Sequence, residues 1–193
     1  MPGSLMFKIV CYLGGTCGDL VVSMLDSRNS SIKSGAVTSD PQRQRLKKSW
    51  QFENDEQRDI YLSQIQVQYK SIPSHDADYH TRNHQSFIAI AVANRSTAIW
   101  ASNRFKALHC SQVWEQMVAT NGANSIEKYA QDMLDWGTWI QSYTNRIIKL
   151  EDILEGRADT KISSIIETQD IDVNFYNQWL QIQNENIHNY NTR

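Results

Sequence analysis

Hydrophobic and polar positions along this chain follow two periods. "FKIVCYL" (residues 7–13) is a β-branched and aromatic run of strand length that ends at a pair of glycines. "SFIAIAV" (86–92) is a second buried-strand run and "RIIKL" (146–150) a third. "YKSIPSH" (69–75) reads as a short extended segment, because Pro73 biases Ile72 away from helix. Between these runs the apolar spacing lengthens to that of helices. Residues 19–25 form a short apolar one. "NDEQ" (54–57) offers an N-cap with Gln57 three residues on, and Ile60, Tyr61, Ile65 and Val67 continue a mixed apolar face. Ile99, Trp100, Phe105, Leu108, Val113 and Met117 keep a helical spacing until "NGAN" (121–124) breaks it and Ser125 caps the next helix. Ile126, Tyr129, Ala130, Met133, Leu134, Gly137 and Ile140 fall at offsets 0, 3, 4, 7, 8, 11 and 14, a continuous apolar stripe that belongs in a core. A short helix in "EDILEG" (151–156), another at 160–168 and a last at 172–190 complete the pattern.

Strands separated by helices and long crossovers predict an α/β protein of three layers, a mainly parallel sheet with helices on both faces. In such a sheet ligands sit beyond the carboxyl ends of the strands. The glycine turn, the Pro73-Ser74-His75 turn and the Ala93-Asn94-Arg95 turn are expected to converge there. Residues 26–50, rich in Ser, Gly, Lys and Arg with little periodicity, read as a long mobile loop.

Composition narrows the class. The length suits one domain, residues 6–193, and the first five residues read as an expression scar ahead of Met6. Cys11, Cys17 and Cys110 show no CxxC spacing, which predicts reduced thiols and a cytoplasmic setting. The longest apolar run, residues 87–93, is far short of the roughly 20 residues of a membrane helix, and no charged-then-apolar leader precedes the first strand. A soluble protein without membrane partners is expected. A net charge of −2, with polarity supplied partly by thirty Asn and Gln residues, makes nucleic acid an unexpected partner. One basic cluster, "RQRLKK" (43–48), reads as a solvated face or as a cationic arm over an anion site.

The chemistry centres on "LGGTCGDLVVSML" (13–25). Glycines at 14, 15 and 18 permit positive φ and close approach of main-chain N–H groups to an anion, and the following helix adds its positive end. The turn reads as a phosphate cradle or as a bare strand-to-helix turn. Asp19 stands where GxxxxGK[ST] has its lysine and Leu13 where it has its first glycine, which argues against a standard ATPase or GTPase.

Four segments in order resemble those of the sulfotransferases, and the resemblance runs along nearly the whole chain. "LGGTCGDLVVSML" is similar to that family's phosphosulfate loop, and "KSIPSH" (70–75) to its short strand ending in a catalytic histidine. "VANRSTAIWASNRF" (92–105) resembles its 3′-phosphate segment, an arginine at a strand end with a serine eight residues later, and "RIIKLEDIL" (146–154) its apolar strand followed by Tyr-Glu-Asp-Leu. The resemblance implies a P-loop domain using 3′-phosphoadenosine 5′-phosphosulfate as donor and a hydroxyl on a sugar, lipid or small molecule as acceptor. It implies His75 as base, Gly14, Gly15, Thr16, Cys17 and Gly18 as the phosphosulfate cradle, and Arg95 with Ser102 at the 3′-phosphate. Departures are specific. No basic residue precedes the cradle, so Lys47 or Lys48 from the loop is the candidate replacement. Asn94 occupies the arginine's place with Arg95 one residue late, and 193 residues is short for the family. These departures also fit a non-catalytic relative that binds a nucleotide, another anion or a protein partner.

Other motifs carry less. "HDADYHTRNH" (75–84) gathers His75, His80 and His84 near Asp76 and Asp78, but its spacing matches no zinc pattern, and a loop without metal is expected. His109 and His188 read as surface or satisfied helix histidines. Trp100, Trp114, Trp136, Trp139 and Trp179 are assigned to core packing, and Trp50, beside the basic cluster, to ligand contact.

Overall fold

The computed structural model describes residues 8–33, 36–38, 46–47, 51–108, 115, 125–166 and 171–191, with side chains in the last segment up to residue 183. Several residues singled out above lie outside this set: the first five, Arg43, Lys48, Trp50, His109, Cys110, Val113, Trp114, Met117, the break at 121–124, and the side chain of His188.

In chain order the elements are β1 (Lys8–Tyr12), α1 (Gly18–Leu25), β2 (Ser31–Lys33), β3 (Ala36–Thr38), α2 (Asp55–Ile65), β4 (Ser71–Ser74), α3 (Ala77–Arg82) and β5 (Ile88–Ala91). There follow α4 (Arg95–Leu108), α5 (Ile126–Ile140), β6 (Ile147–Lys149), α6 (Leu150–Leu154), α7 (Ala158–Ile166) and α8 (Val173–Asn191). Four strands make one parallel sheet in the order β4-β1-β5-β6, with Val10 opposite both Pro73 and Ile88. Pro73 is tolerated because β4 is an edge strand, where a missing N–H leaves no ladder bond unmade.

Alternation along the strands sends side chains to two cores. Val10, Tyr12, Ile88, Ile90 and Ile148 pack with residues of α1, α4 and α8, whereas Ile9, Cys11, Ile72, Ala89 and Ala91 pack with Ile65 of α2 and Ile140 of α5. Each fully buried Val or Ile stabilises the fold by about 2 kcal/mol, and covering both faces lets a parallel sheet read as continuous apolar runs. The expected α/β architecture, a parallel sheet flanked by helices, is what the chain forms. Helix α5 contributes to both cores. At Gly137 it passes so close to β5 that a Cβ would lie 3.0 Å from the Val92 carbonyl oxygen.

Local signals hold where they are strong. Asn54 and Ser125 cap α2 and α5, their side-chain oxygens accepting from the N–H groups of Gln57 at 2.9 Å and Lys128 at 3.1 Å. Asn94 caps α4 in the same way, accepting from Thr97 N–H at 2.9 Å.

Two readings are corrected. Part of the expected loop at 26–50 is an antiparallel hairpin, β2 with β3, whose Ile32 and Val37 pack against the first core. Strands of three residues are too short to show a period, so tertiary burial decides them. The histidine-rich segment contains a two-turn helix, α3, because the Asp76 carboxylate accepts from Tyr79 N–H at 3.2 Å and starts it. Among the described residues no helix is long and apolar enough to cross a membrane.

By order of appearance the sheet runs second, first, third, fourth. The chain leaves β1 for β4 on one side and crosses back to β5 on the other, so the strand order reverses between the carboxyl ends of β1 and β5.

Candidate functional site

β1 ends at Tyr12 and runs into a tight turn with two left-handed residues, Gly15 at φ 89° and Cys17 at φ 62°. Thr16 between them donates both its N–H (3.2 Å) and its hydroxyl (2.7 Å) to the Leu13 carbonyl. Two neighbours draw the turn's carbonyls inward: Tyr129 of α5 donates its hydroxyl to Gly14 O at 3.2 Å, and Arg104 of α4 donates to Gly15 O at 3.3 Å. A trans peptide whose C=O points one way points its N–H the other. The Gly15 N–H accordingly faces away from Tyr129, and it and the N–H groups of Cys17, Gly18 and Asp19, at the positive end of α1, have no acceptor among the described residues.

Glycine is required here by space as well as by conformation. A Cβ on Gly14 would sit 2.3 Å from the Phe105 ring, and one on Gly15 would sit 2.2 Å from the Ala101 carbonyl oxygen. The residues of the expected cradle therefore separate. Gly14 and Gly15 seat the turn on α4, Gly18 opens α1, and Cys17 is buried, its thiol pushed up in pKa by burial with Arg104 opposing. Thr16 is corrected as a hydroxyl donor to ligand, since its one proton is committed to Leu13 and the residue is buried. Asp19 turns its carboxylate to the Tyr12 hydroxyl, whose pKa rises well above the ordinary value, first through burial and then through Asp19.

His75 follows β4 and lies on the same sheet end. Its Nδ1 is 2.8 Å from the Tyr12 carbonyl oxygen, and its ring meets the Tyr12 ring edge-on at 4.5 Å. A carbonyl only accepts, so Nδ1 is the donor, and in the neutral ring the lone pair is on Nε2. The ring is exposed at a pocket of about 460 Å³. Leu13, which begins the glycine turn, forms one side; His75, Asp76, Ala77 and Asp78 form a second; Asp135, Trp136 and Trp139 of α5 form the third.

The β5–α4 turn holds the other expected contacts. Arg95 is exposed at the first residue of α4. The main-chain N–H groups of Ala93 and Asn94, however, already donate to the Glu151 carboxylate at 3.0 Å each. Ser102 is corrected as a phosphate contact: it is fully buried, with its hydroxyl donated to Ala98 O at 2.8 Å. A helix serine eight residues into α4 faces the core, not the strand end.

Behind His75 lies a buried polar network. Ser74 Oγ is 2.9 Å from His80 Nε2, and His80 Nδ1 is 2.7 Å from Gln85 Oε1. Burial lowers the His80 pKa to about 4, with the Gln85 bond opposing and Arg58 reinforcing. Arg58 pairs with Asp76 at 2.6 Å and lies over the Tyr79 ring at 3.7 Å. Asp76 is thereby held below its usual range, although burial alone would raise it. Lys47, offered above as a replacement cation, packs on α2 instead, its N–H donating to the Tyr61 hydroxyl at 3.1 Å and its ammonium over the Phe52 ring. Among the described residues no three His, Cys, Asp or Glu side chains gather as a metal would need.

Sequence reasoning missed Arg104, a cation that donates to the glycine turn, and Glu151, although both fall inside quoted segments. Trp136 and Trp139, assigned to core packing, do pack half-buried against the second core and also line the pocket; their offsets of 10 and 13 from Ile126, beside the apolar stripe, were the available signal for that second role. Comparison of the chain with protein-family models, curated proteins and solved structures gives no match.

Proposed function

We propose that the chain is a small P-loop transferase of the sulfotransferase kind, moving a sulfuryl group from 3′-phosphoadenosine 5′-phosphosulfate to a hydroxyl held beside His75. One observation carries the reading. The bond from His75 Nδ1 to Tyr12 O puts the lone pair of the neutral ring on Nε2, and His75 shares a pocket wall with Leu13, the first residue of the glycine turn.

The chemistry asks for three things. A base must take the acceptor proton as the new S–O bond forms; Nε2 of His75 has that lone pair. Donors must spread charge on the departing 3′-phosphoadenosine 5′-phosphate as the old S–O bond breaks. The unbonded N–H groups of Gly15, Cys17, Gly18 and Asp19 suit a tetrahedral oxyanion, and the Arg104 guanidinium adds positive charge beneath them. Finally, the acceptor must be held in line, which is the pocket's part. The 3′-phosphate is the weak point of the fit, since of the two residues expected there Ser102 is buried and Arg95 is exposed.

A second reading, a non-catalytic protein that binds a nucleotide, another anion or a protein partner, is favoured by Glu151. Its carboxylate already occupies the N–H groups of Ala93 and Asn94, where a 3′-phosphate would compete with it. Calorimetry with 3′-phosphoadenosine 5′-phosphate, followed by an assay for sulfated product, separates the two. Binding with turnover supports transfer, binding alone supports the second reading, and no binding at millimolar ligand defeats the transferase.

A further inference from the structure

We infer that the pocket beside His75 binds an organic ammonium ion, so that the hydroxyl acceptor is an amino alcohol or its quaternary analogue. The acceptor role rests on the transfer reading above; the cation site does not.

Charge and aromatic surface coincide in this pocket. Trp136 and Trp139 stand three residues apart on α5, hence on one side of the helix, and both are half-buried against the pocket. Asp78 and Asp135 complete the rim and are exposed. The Asp135 carboxylate accepts from Gln131 Nε2 at 2.9 Å, and among the described residues no cation pairs with either aspartate. Asp76, the third carboxylate of the lining, differs in being neutralised by Arg58. Among the described residues no Lys or Arg lines the pocket, and the Nδ1–H of His75 is donated to Tyr12 O.

Among the described residues the pocket thus carries two aspartates without a paired cation next to two indoles. An anion would be repelled, and a neutral polyol would hydrogen-bond without answering the charge. An ammonium group satisfies both surfaces at once, because the indole face and the carboxylates attract the same positive charge. A volume of about 460 Å³ holds such a group with the short carbon chain that carries a hydroxyl. Placing the ammonium at the α5 wall leaves the His75 side of the pocket for that hydroxyl.

The test uses the full chain with choline and, as its neutral isostere, 3,3-dimethylbutan-1-ol, read by calorimetry and by tryptophan fluorescence. Saturable choline binding is expected, weakening as salt rises, with the isostere about tenfold weaker or worse. In an Asp78→Asn, Asp135→Asn double variant, two exposed changes that spare the core, choline should fall to the isostere's affinity. Equal binding of the two probes, no saturable choline binding, or a double variant that keeps the preference overturns the cation site. The transfer reading fails separately: choline binding without sulfated product when donor is added keeps the site and removes the transferase. Sulfation of a neutral alcohol without choline binding does the reverse.

Discussion

The Glu151 carboxylate and the Asn94 main-chain N–H meet at 3.0 Å, joining the start of α6 to the turn after β5 across the carboxyl edge of the sheet. The same carboxylate takes the N–H of Ala93, so this turn already holds an anion, and it is the chain's own.

Replacing that anion should therefore expose the turn to an outside one. Glu151→Ala is expected to lower stability by about 1 kcal/mol, as losing a helix cap does, and to tighten 3′-phosphoadenosine 5′-phosphate binding several-fold. Calorimetry on both proteins decides it. Unchanged or weaker binding would mean that the β5–α4 turn has no part in holding the ligand.

His75 offers the cleanest separation of binding from chemistry. His75→Gln removes the free lone pair and leaves the glycine turn untouched. Sulfated product should drop by about 10²- to 10⁴-fold while affinity for 3′-phosphoadenosine 5′-phosphate stays within about twofold. Full turnover in the variant would clear this imidazole of the base role.

Gly15 tests the turn itself. With φ at 89° and the Ala101 carbonyl oxygen only 2.2 Å from where a Cβ would stand, Gly15→Ala meets both backbone strain and a rigid neighbour. A loss of about 2–4 kcal/mol in chemical denaturation is expected. A denaturation midpoint equal to wild type would show that the turn does not pack on α4.

The buried His80 makes stability pH-dependent in a stated direction. Its folded pKa, about 4, lies below the unfolded value of 6.5, so the unfolded chain binds the proton more readily between them. The contribution is full above pH 6.5, declines as pH falls and is gone below pH 4, a span worth about 3 kcal/mol. Arg58, Asp59 and Asp76 surround the ring, and the lowered Asp76 pKa acts in the same direction below the histidine window. Denaturation curves at pH 7 and pH 5 should separate clearly in the wild type and much less in His80→Gln. Equal slopes in both would place the acid sensitivity elsewhere.

What the chain announced in advance was local. The strand runs around Val10 and Ile90, the glycines of the first turn, the Asn54 and Ser125 caps and the α5 stripe all depend on neighbours within about four residues, where period and turn chemistry act. The alternation of strands and helices then sufficed for a parallel sheet covered on both faces. The features that define the site depend on contacts between distant positions. Tyr12 holds the tautomer of a histidine 63 residues away, Arg104 reaches a glycine carbonyl 89 residues away, and Glu151 caps a turn 57 residues away. None of these leaves a period in the sequence. Ser102 shows the same limit from the other side, since its spacing from the strand end was right for a phosphate contact while the rotation of α4 against the sheet turned it inward. Sequence determined the longer strands and helices, while tertiary burial decided the short β2–β3 hairpin; the packing of α4, α5 and α6 on the sheet end decided which polar groups face a ligand and which face each other.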